Sequence, residues 1–398
     1  MRILMVNKFL FPNGGSETYI FDIGKQLVGM GHEVQYFGME DENRIVGNQT
    51  GSYTSSMNFH TGGIQKLLYP FKIIYSVEAR KKIRKVLENF KPQVVHLNNI
   101  NFQLTPSVIY EVRKWEKQNK CKVKIVYTAH DSQWVCPNHL LMIPSTKELC
   151  FKCKGGKYSE CAKNKCIHNS HVKSILASIE AYVYRSLKTY KKIDTIICPS
   201  HFMEKMLSTN SLIADKLMTM HNYCTLLADS EKEKKDYVLY FGRYSEEKGI
   251  GTLLKACERL TGIPFIFAGD GPLREQVEKL DNIQNKGFLT GRELQILISQ
   301  ARFAVIPSVC YENCPFTVIE AQKLGTPVVA SSLGGIPELI DAGETGEVFE
   351  AGNAEQLIEK ISGLWTDKEK MLQYSRNCKN KKFDSLEEYC EKLLTIYS

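Results

Sequence analysis

Short apolar runs alternate with amphipathic stretches along most of the chain. The runs at residues 2–6, 34–37, 94–97, 124–127 and 193–198 are short and mainly apolar, which is typical of buried strands. The stretches between several of them repeat apolar residues three and four positions apart, as amphipathic helices do. Strands that alternate with helices predict a parallel sheet with right-handed crossover connections.

A polar interval separates two such arrays. Between residues 222 and 236 the pattern gives way to Glu- and Lys-rich sequence, which indicates a surface linker. The alternation then restarts with predicted strands at 237–241, 265–268, 304–306 and 327–330. A chain of 398 residues is also too long for one hydrophobic core. We therefore predict an α/β protein with two Rossmann-like, doubly wound parallel-sheet domains facing a cleft, with ligands at the carboxyl ends of the strands.

The charge is distributed unevenly between the two halves of the chain. Residues 1–200 contain 29 lysines and arginines against 15 aspartates and glutamates, a balance of +14, although the whole chain carries +8. An excess of this kind indicates an anionic partner for the first half or, equally, a solvated basic face. No helix-turn-helix, zinc-finger or RNA-recognition pattern is present in the sequence, so nucleic acid is not the expected partner.

The segment 241–249 occupies a predicted loop between a strand and a helix. Gly242 permits a tight turn there, and Arg243 and Lys248 place two cations beside a helix N-terminus, which itself favours anions. A diphosphate is the natural ligand, because a guanidinium bridges two phosphate oxygens while an ammonium acts as a point charge. Two solvated cations are the alternative interpretation.

A second loop carries two carboxylates eight residues apart. Glu312 follows a predicted strand and Glu320 lies on the next helix. If that helix starts near Pro315, its first amide groups point back at the loop, so the segment offers N–H donors and carboxylates that suit sugar hydroxyls, phosphate and ribose. A capped helix with one exposed glutamate is the alternative. The glycine-rich sequence that follows, at 325–330 and 334–338, favours the binding interpretation.

The run from Pro307 to Gly346 resembles the donor-binding half of family-4 retaining glycosyltransferases, which have the GT-B fold. The segments 242–249 and 269–272, and Pro199-Ser200, stand at matching intervals. The resemblance implies an N-terminal acceptor domain at 1–222, a nucleotide-sugar donor domain at 223–382, and a C-terminal helix at 383–398 that packs back on the first domain.

The resemblance also assigns roles to residues. Arg243 and Lys248 would hold the diphosphate and stabilise it as the leaving group. Glu320 would bind the ribose, and Glu312 would contact the donor sugar. His130 matches a histidine placed near the transferred sugar, so the implied catalytic residues are His130, Glu312, Arg243 and Lys248. The other implied donor contacts are Gly14, Gly15, Gly242, Leu289, Asn313, Cys314, Pro315, Phe316 and Thr317.

The implied activity is transfer of a sugar, with retention of configuration, from a nucleotide-diphosphate sugar (a UDP- or GDP-sugar first) to a glycan or lipid-linked glycan in surface polysaccharide biosynthesis. The sequence contains no Asp-x-Asp pair, which fits a reaction that needs no metal or other cofactor. The alternatives are a non-catalytic nucleotide-sugar-binding subunit and a UDP-sugar 2-epimerase of the same fold. An NAD-dependent dehydrogenase is disfavoured, because no Gly-x-Gly-x-x-Gly follows the first strand.

A cysteine-rich insert at 136–171 departs from the family pattern. Cys150, Cys153, Cys161 and Cys166 have spacings that could close a tetrahedral structural zinc site, and the insert has few apolar residues to hold it folded without one. Reduced free cysteines are the alternative.

The chain is expected to be cytoplasmic, with a position at the inner face of the plasma membrane as a further option. Its opening apolar run is too short for a signal peptide, and no run reaches the roughly 20 residues of a membrane span. Residues 64–91 mix apolar and basic residues, as an interfacial helix on an anionic membrane does. A core-facing amphipathic helix with a solvated basic side explains the same pattern.

Overall fold

The computed structural model of the protein describes residues 1–56, 74–226 and 233–398. The chain divides into two compact units. Unit 1 consists of Met1–Met220 and Leu386–Ser398, and unit 2 consists of His221–Ser385. Most of the predicted linker belongs to unit 2, and its residues 227–232 lie outside the described parts of the chain.

Unit 1 is built on a six-stranded parallel sheet in the order β2-β1-β3-β4-β7-β8. Its strands are β1 (Arg2–Val6), β2 (Glu33–Phe37), β3 (Val94–Leu97), β4 (Lys124–Thr128), β7 (Thr195–Cys198) and β8 (Leu217–Thr219), and a small antiparallel hairpin adds β5 (Met142–Ile143) and β6 (Glu148–Leu149). Its helices are α1 (Gly15–Gly29), α2 (Val77–Phe90), α3 (Ser107–Asn119), α4 (Ser159–Lys163), α5 (His171–Ser186), α6 (His201–Leu207) and, at the end of the chain, α13 (Leu386–Tyr397).

Unit 2 is built on a second six-stranded parallel sheet, in the order β11-β10-β9-β12-β13-β14. Its strands are β9 (Val238–Phe241), β10 (Phe265–Ala268), β11 (Ile283–Asn285), β12 (Phe303–Ile306), β13 (Val328–Ser331) and β14 (Gly346–Phe349). Its helices are α7 (Ile250–Arg259), α8 (Arg274–Val277), α9 (Gly291–Gln300), α10 (Phe316–Lys323), α11 (Ala354–Thr366) and α12 (Lys368–Asn380). The prediction of two doubly wound parallel-sheet domains is confirmed.

Helix α2 turns its apolar side into unit 1. Ala79, Ile83, Val86, Leu87 and Phe90 are buried, and they recur three and four positions apart. Within residues 64–91, the described part therefore forms a core-facing amphipathic helix and not an interfacial membrane helix. The residues of that segment before position 74 lie outside the described parts of the chain.

A buried polar network joins α13 to the sheet of unit 1. The Tyr19 hydroxyl lies 2.9 Å from the Tyr389 hydroxyl and 3.0 Å from Thr128 Oγ1. His96 Nε2 lies 2.8 Å from the same Thr128 oxygen, and its Nδ1 lies 2.6 Å from the Tyr397 hydroxyl. Burial lowers the pKa of His96 to about 3, so the ring is neutral at pH 7. The last helix is thus bound to the first unit by hydroxyls at both of its ends.

Replacing Tyr397 with phenylalanine should destabilise unit 1. The change leaves His96 Nδ1 buried without its hydroxyl partner, which costs about 1–3 kcal/mol. Thermal unfolding followed by circular dichroism measures the loss. Thr395→Ala on the same helix is the control, because its hydroxyl donates to the Glu391 carbonyl at an exposed position and its removal should be near neutral. Equal melting temperatures for the two variants would contradict the role of the network.

Candidate functional site

Glycines bring the loops at the carboxyl edge of the unit 2 sheet into backbone contact. A Cβ on Gly269 would lie 1.9 Å from the carbonyl oxygen of Gly242, and one on Gly271 would lie 2.5 Å from that of Tyr244. The loops are also hydrogen-bonded, since the Tyr244 N–H donates to the Asp270 carbonyl at 2.9 Å. The loop after β9 is therefore fixed against the loop after β10, and side chains larger than hydrogen are excluded at the contact.

The loop after β12 is bound on both sides in the same way. The Val309 N–H donates to the Glu247 carbonyl at 3.0 Å, and the Gly335 N–H donates to the Glu312 carbonyl at 2.7 Å. A Cβ on Gly334 would lie 2.4 Å from that carbonyl oxygen. Glu312 therefore has a fixed backbone position between the loops that follow β9 and β13.

Lys248 and Glu312 form an ion pair at this edge. Lys248 Nζ lies 2.5 Å from Glu312 Oε1, and the buried Ser308 hydroxyl donates to the same oxygen at 3.0 Å. Burial alone would lower the pKa of Lys248, but the Glu312 carboxylate outweighs it and the pKa is raised. The ammonium is thus charged at neutral pH, and the carboxylate is held by two donors.

Arg243 lies five residues before Lys248, in the same loop after β9. Its side chain is exposed, and no described residue forms an ion pair with it. The Tyr240 hydroxyl fixes its backbone by donating to the Arg243 carbonyl at 2.7 Å. The structure therefore places a positioned cation at Lys248 and an open one at Arg243.

Four helices begin at this edge without a side-chain cap. The residues before α7, α8, α9 and α10 are Gly249, Leu273, Thr290 and Pro315, and none of them accepts a capping hydrogen bond through its side chain. In contrast, Asn353 and Asp367 cap α11 and α12. The first amides of an uncapped helix are available to an anion or a hydroxyl.

Helix α10 starts where the sequence predicted, at Phe316. Thr317 lies in its first turn, and Glu320 lies half-buried one turn in. Burial raises the pKa of Cys224, and the nearby Glu320 carboxylate raises it further. The segment before the helix is bound to Asn222, whose side-chain amide donates to the Cys314 carbonyl at 2.7 Å. Leu289 is half-buried in the loop after β11.

The remaining predicted site residues belong to unit 1. Gly14 precedes α1, and a Cβ on Gly15 would meet no atom within 4 Å, so this glycine loop is open. His130 follows β4, where its Nε2 lies 2.8 Å from Asn98 Oδ1 and its ring stands edge-on to Tyr19. Burial lowers the pKa of His130 to about 4, so the imidazole is neutral at pH 7.

Sequence reasoning did not assign roles to three residues that shape the site of unit 2. Ser308 lies in the run from Pro307 to Gly346, yet its hydroxyl contact with Glu312 was not predicted. Gly334 follows the next strand, and its contact with Glu312 depends on tertiary structure. Phe288 is 76% exposed in the loop after β11, directly before Leu289, and an exposed aromatic there offers a flat apolar surface. Its position directly before Leu289, an implied donor contact, was the available signal.

The cysteines of the insert gather around one small cavity in unit 1. Its volume is about 20 Å³, and Cys136, Cys150, Cys153, Cys161 and Cys166 are among its lining residues. Burial raises the pKa of Cys136 to about 11 and that of Cys153 to about 12, so these thiols are neutral as they stand. Within the described ranges no group of three or more His, Cys, Asp or Glu side chains is arranged to hold a metal ion. The zinc site on Cys150, Cys153, Cys161 and Cys166 stays a prediction, and Cys136 is a fifth sulfur beside it.

Metal analysis of the protein purified without chelator tests that prediction. The expected result is about one zinc ion per chain, lost in Cys153→Ser, because four thiolates close a structural site. Cys121→Ser is the control, since Cys121 is exposed and lies outside the insert. A zinc content well below one ion per chain in the wild type would contradict the site.

Both halves of the chain match known family descriptions. Residues 13–223, more than half of the chain, match the family described as "Glycosyltransferase Family 4", and residues 227–381 match "Glycosyl transferases group 1". No helix in the described parts of the chain combines the length and apolar character that a membrane span requires.

Curated relatives are similar over different lengths. Sulfoquinovosyl transferase SQD2 of Arabidopsis thaliana is 35% identical over 149 residues, which are 36% of this chain and 29% of that protein. Alpha-D-kanosaminyltransferase of Streptomyces kanamyceticus is 30% identical over 148 residues, which are 34% of this chain and 38% of that protein. These matches therefore span about a third of either relative. An uncharacterized glycosyltransferase of Methanocaldococcus jannaschii is 24% identical over 371 residues, which are 85% of this chain and 83% of that protein.

Solved structures are similar over the whole chain. Sucrose-phosphate synthase from Thermosynechococcus elongatus has a TM-score of 0.70 at 16% identity, with 100% of this chain and 98% of that chain covered. Anabaena Alr3699/HepE in complex with UDP-glucose has a TM-score of 0.67 at 16% identity, with 99% of both chains covered. With the two parallel sheets and the family matches, these similarities show that the protein belongs to glycosyltransferase family 4 and has the GT-B fold.

Proposed function

We propose that the protein is a retaining glycosyltransferase that moves a sugar from a nucleotide-diphosphate sugar to a glycan or lipid-linked glycan. The observation that carries the proposal is the pair of cations after β9. Lys248 is held 2.5 Å from Glu312, and Arg243 is exposed on the same loop. A diphosphate leaving group gains negative charge during transfer, so fixed cations at its oxygens lower the barrier.

The donor would lie along the carboxyl edge of the unit 2 sheet. Arg243 and Lys248 would bind the diphosphate, and the uncapped first turn of α10 would donate N–H groups to it or to the sugar hydroxyls. Glu320 would accept from the ribose hydroxyls, and Glu312 would orient the donor sugar. In this scheme the two cations supply the charge stabilisation that a divalent metal gives other transferases, so catalysis needs no metal.

A UDP-sugar is the first donor to test. Alr3699/HepE was solved with UDP and with UDP-glucose, and WcaL of Salmonella typhimurium is described as a putative colanic acid biosynthesis glycosyltransferase. We extend these properties to this chain as part of the proposal, with surface polysaccharide assembly on the cytoplasmic side of the membrane as its setting.

A thermal-shift titration tests the donor site. UDP, GDP, ADP and dTDP are added to wild type and to Glu320→Ala, and one nucleotide is expected to raise the melting temperature of the wild type only. At a concentration 100 times the dissociation constant the stabilisation is about 2.7 kcal/mol. Glu359→Ala, a change on α11, is the control and should keep the shift. A shift that survives in Glu320→Ala, or none with any nucleotide, would contradict the proposed site.

Product analysis then tests transfer itself. With the stabilising donor and a glycan acceptor the expected product keeps the anomeric configuration of the donor sugar, in the presence of EDTA as well as without it. Conversion of the bare UDP-sugar with no acceptor would instead identify a 2-epimerase. Binding without turnover of any donor would identify a nucleotide-sugar-binding subunit.

A further inference from the structure

Helix α5 in unit 1 carries three β-branched apolar side chains on the outside. Val172 is 77% exposed, Ile175 43% and Ile179 46%, and they recur at the spacing of one helix face. The buried residues of α5 are Ser174, Ser178 and Tyr184, so the two that lie beside these apolar residues are small and polar. In this part of the helix the apolar side chains are exposed, whereas an ordinary surface helix buries them.

The inner side of α5 is fixed to the cysteine-rich insert by hydrogen bonds. The Ile167 N–H donates to Ser174 Oγ at 2.9 Å, and the Ser178 hydroxyl donates to the Tyr158 carbonyl at 2.8 Å. Tyr182, 39% exposed, accepts from the Ser159 N–H at 3.2 Å and stands edge-on to Tyr158. These hydrogen bonds hold the polar side of α5 against the insert. Val172, Ile175 and Ile179, which we call the apolar stripe, therefore face away from the core of the insert.

Exposed lysines are concentrated in the insert that supports α5 and at the start of the helix. Residues 147–173 contain seven lysines and two glutamates, and all seven lysines are exposed. Leu149 and Phe151 of the insert are each 41% exposed among them. Lys157 adjoins Tyr158 and Lys165 is two residues from Ile167. Because Tyr158 and Ile167 are both hydrogen-bonded to α5, the chain carries these two charges close to the helix. We call the exposed lysine, aliphatic and aromatic side chains of residues 147–182 the docking face; they are Lys147, Leu149, Phe151, Lys152, Lys154, Lys157, Lys163, Lys165, Val172, Lys173, Ile175, Ile179 and Tyr182.

The composition of the docking face distinguishes a lipid surface from a protein partner. Protein interfaces are depleted of lysine at their centres and enriched in arginine and aromatic residues. Lysines interspersed with exposed aliphatic residues instead suit an anionic bilayer, where the charges stay at the headgroups and the apolar side chains enter the acyl boundary. The net charge of +5 over residues 147–173 is complementary to such a surface.

We propose that the docking face binds an anionic membrane surface, with α5 lying in the plane of the interface. The inference does not depend on the proposed transferase activity, because lipid binding is measured without donor or acceptor. It gives the cysteine-rich insert a role as the support that holds α5 with its apolar side outward.

Sedimentation with sucrose-loaded vesicles tests the proposal. The full-length protein is mixed with vesicles of phosphatidylcholine containing 30 mol% phosphatidylglycerol and with vesicles of phosphatidylcholine alone. The protein is expected to sediment with the anionic vesicles, and to do so less at high salt. Ile175→Ser with Ile179→Ser should weaken binding about tenfold or more. Lys154→Gln with Lys157→Gln should weaken it about fivefold for each lysine.

Matched variants elsewhere in unit 1 show whether lipid binding depends on the docking face or on the total number of exposed apolar and basic side chains. Val28→Ser with Ile45→Ser removes two apolar side chains of similar exposure, and Lys114→Gln with Lys117→Gln removes two exposed lysines of α3. Both controls should bind as the wild type does. Weak or absent binding of the wild type to the anionic vesicles would overturn the proposal, as would equal losses in the controls.

A protein partner is the other outcome. Sedimentation velocity of the wild type and of the Ile175, Ile179 double variant determines whether this face joins two copies of the chain. A wild-type dimer that becomes monomeric in the double variant, together with absent vesicle binding, would assign the face to self-association and overturn the membrane proposal. A wild type that binds vesicles with the same oligomeric state as the variant supports it.

Discussion

Replacing Lys248 with alanine is expected to lower kcat/KM for sugar transfer by about 10²–10³. The ammonium is the positioned cation of the site, and loss of one preorganised group that stabilises developing charge has an effect of this size. The loss should fall mainly on kcat, because the interaction is stronger with the departing diphosphate than with the bound donor. Initial rates over a range of donor concentrations separate kcat from KM.

The geometry of the pair explains why Lys248 should matter more for catalysis than for folding. Its side chain is 37% exposed and that of Glu312 is 16% exposed, so solvent screens the pair and its contribution to stability is small. The raised pKa keeps Lys248 protonated through neutral and mildly alkaline pH, and its charge is lost only above its ordinary range. Activity should therefore show no loss at neutral pH that is due to this group.

Lys255→Ala is the matched control, because Lys255 is exposed on α7, seven residues along the chain. It should keep the wild-type rate. Lys248→Met with Glu312→Gln removes both charges, and a melting temperature close to that of the wild type would show that the pair is not needed for folding. Wild-type kcat in Lys248→Ala would contradict the assignment of this lysine to the leaving group.

The sequence predicted the parallel sheets because their strands are buried on both faces. Runs such as 94–97 and 124–127 have no polar face, so their strand character is visible locally. The start of α10 at Phe316 was also predictable, because a proline directly precedes it and a helix cannot easily extend back through it. The candidate cations Arg243 and Lys248 were predicted because they lie in a loop between a strand and a helix N-terminus.

The contacts between loops could not be predicted in the same way. Ser308 and Glu312 meet in a loop whose Glu312 carbonyl accepts from the Gly335 N–H, and Gly335 lies in the loop after a different strand, β13. Cys136 lies 14 residues before Cys150, yet the fold brings both to the same cavity. For α5 the periodicity alone does not show which side faces outward, because apolar residues at helical spacing ordinarily predict a buried face.

Gly249→Ala should disrupt the same edge of unit 2 through the backbone. Gly249 has a φ of 74°, in the left-handed region that favours glycine, and a Cβ there would lie 1.8 Å from the Pro307 carbonyl oxygen. Left-handed strain together with a backbone clash should cost about 3 kcal/mol or more. For a unit of this size the melting temperature should fall by roughly 6–12 °C, measured by circular dichroism.

Gly251→Ala is the sharpest control, because a Cβ at Gly251 meets no atom within 4 Å and its φ is not in the left-handed region. Alanine is the better helix former, so this variant should be as stable as the wild type or slightly more stable. In Gly249→Ala the loop must move away from Pro307, and Lys248, its neighbour, moves with it. We therefore expect at least tenfold weaker nucleotide binding in Gly249→Ala. Unchanged binding in Gly251→Ala would show that the effect belongs to the contact with Pro307, directly after β12. A melting temperature within 1 °C of wild type for Gly249→Ala would contradict the packing of the two loops.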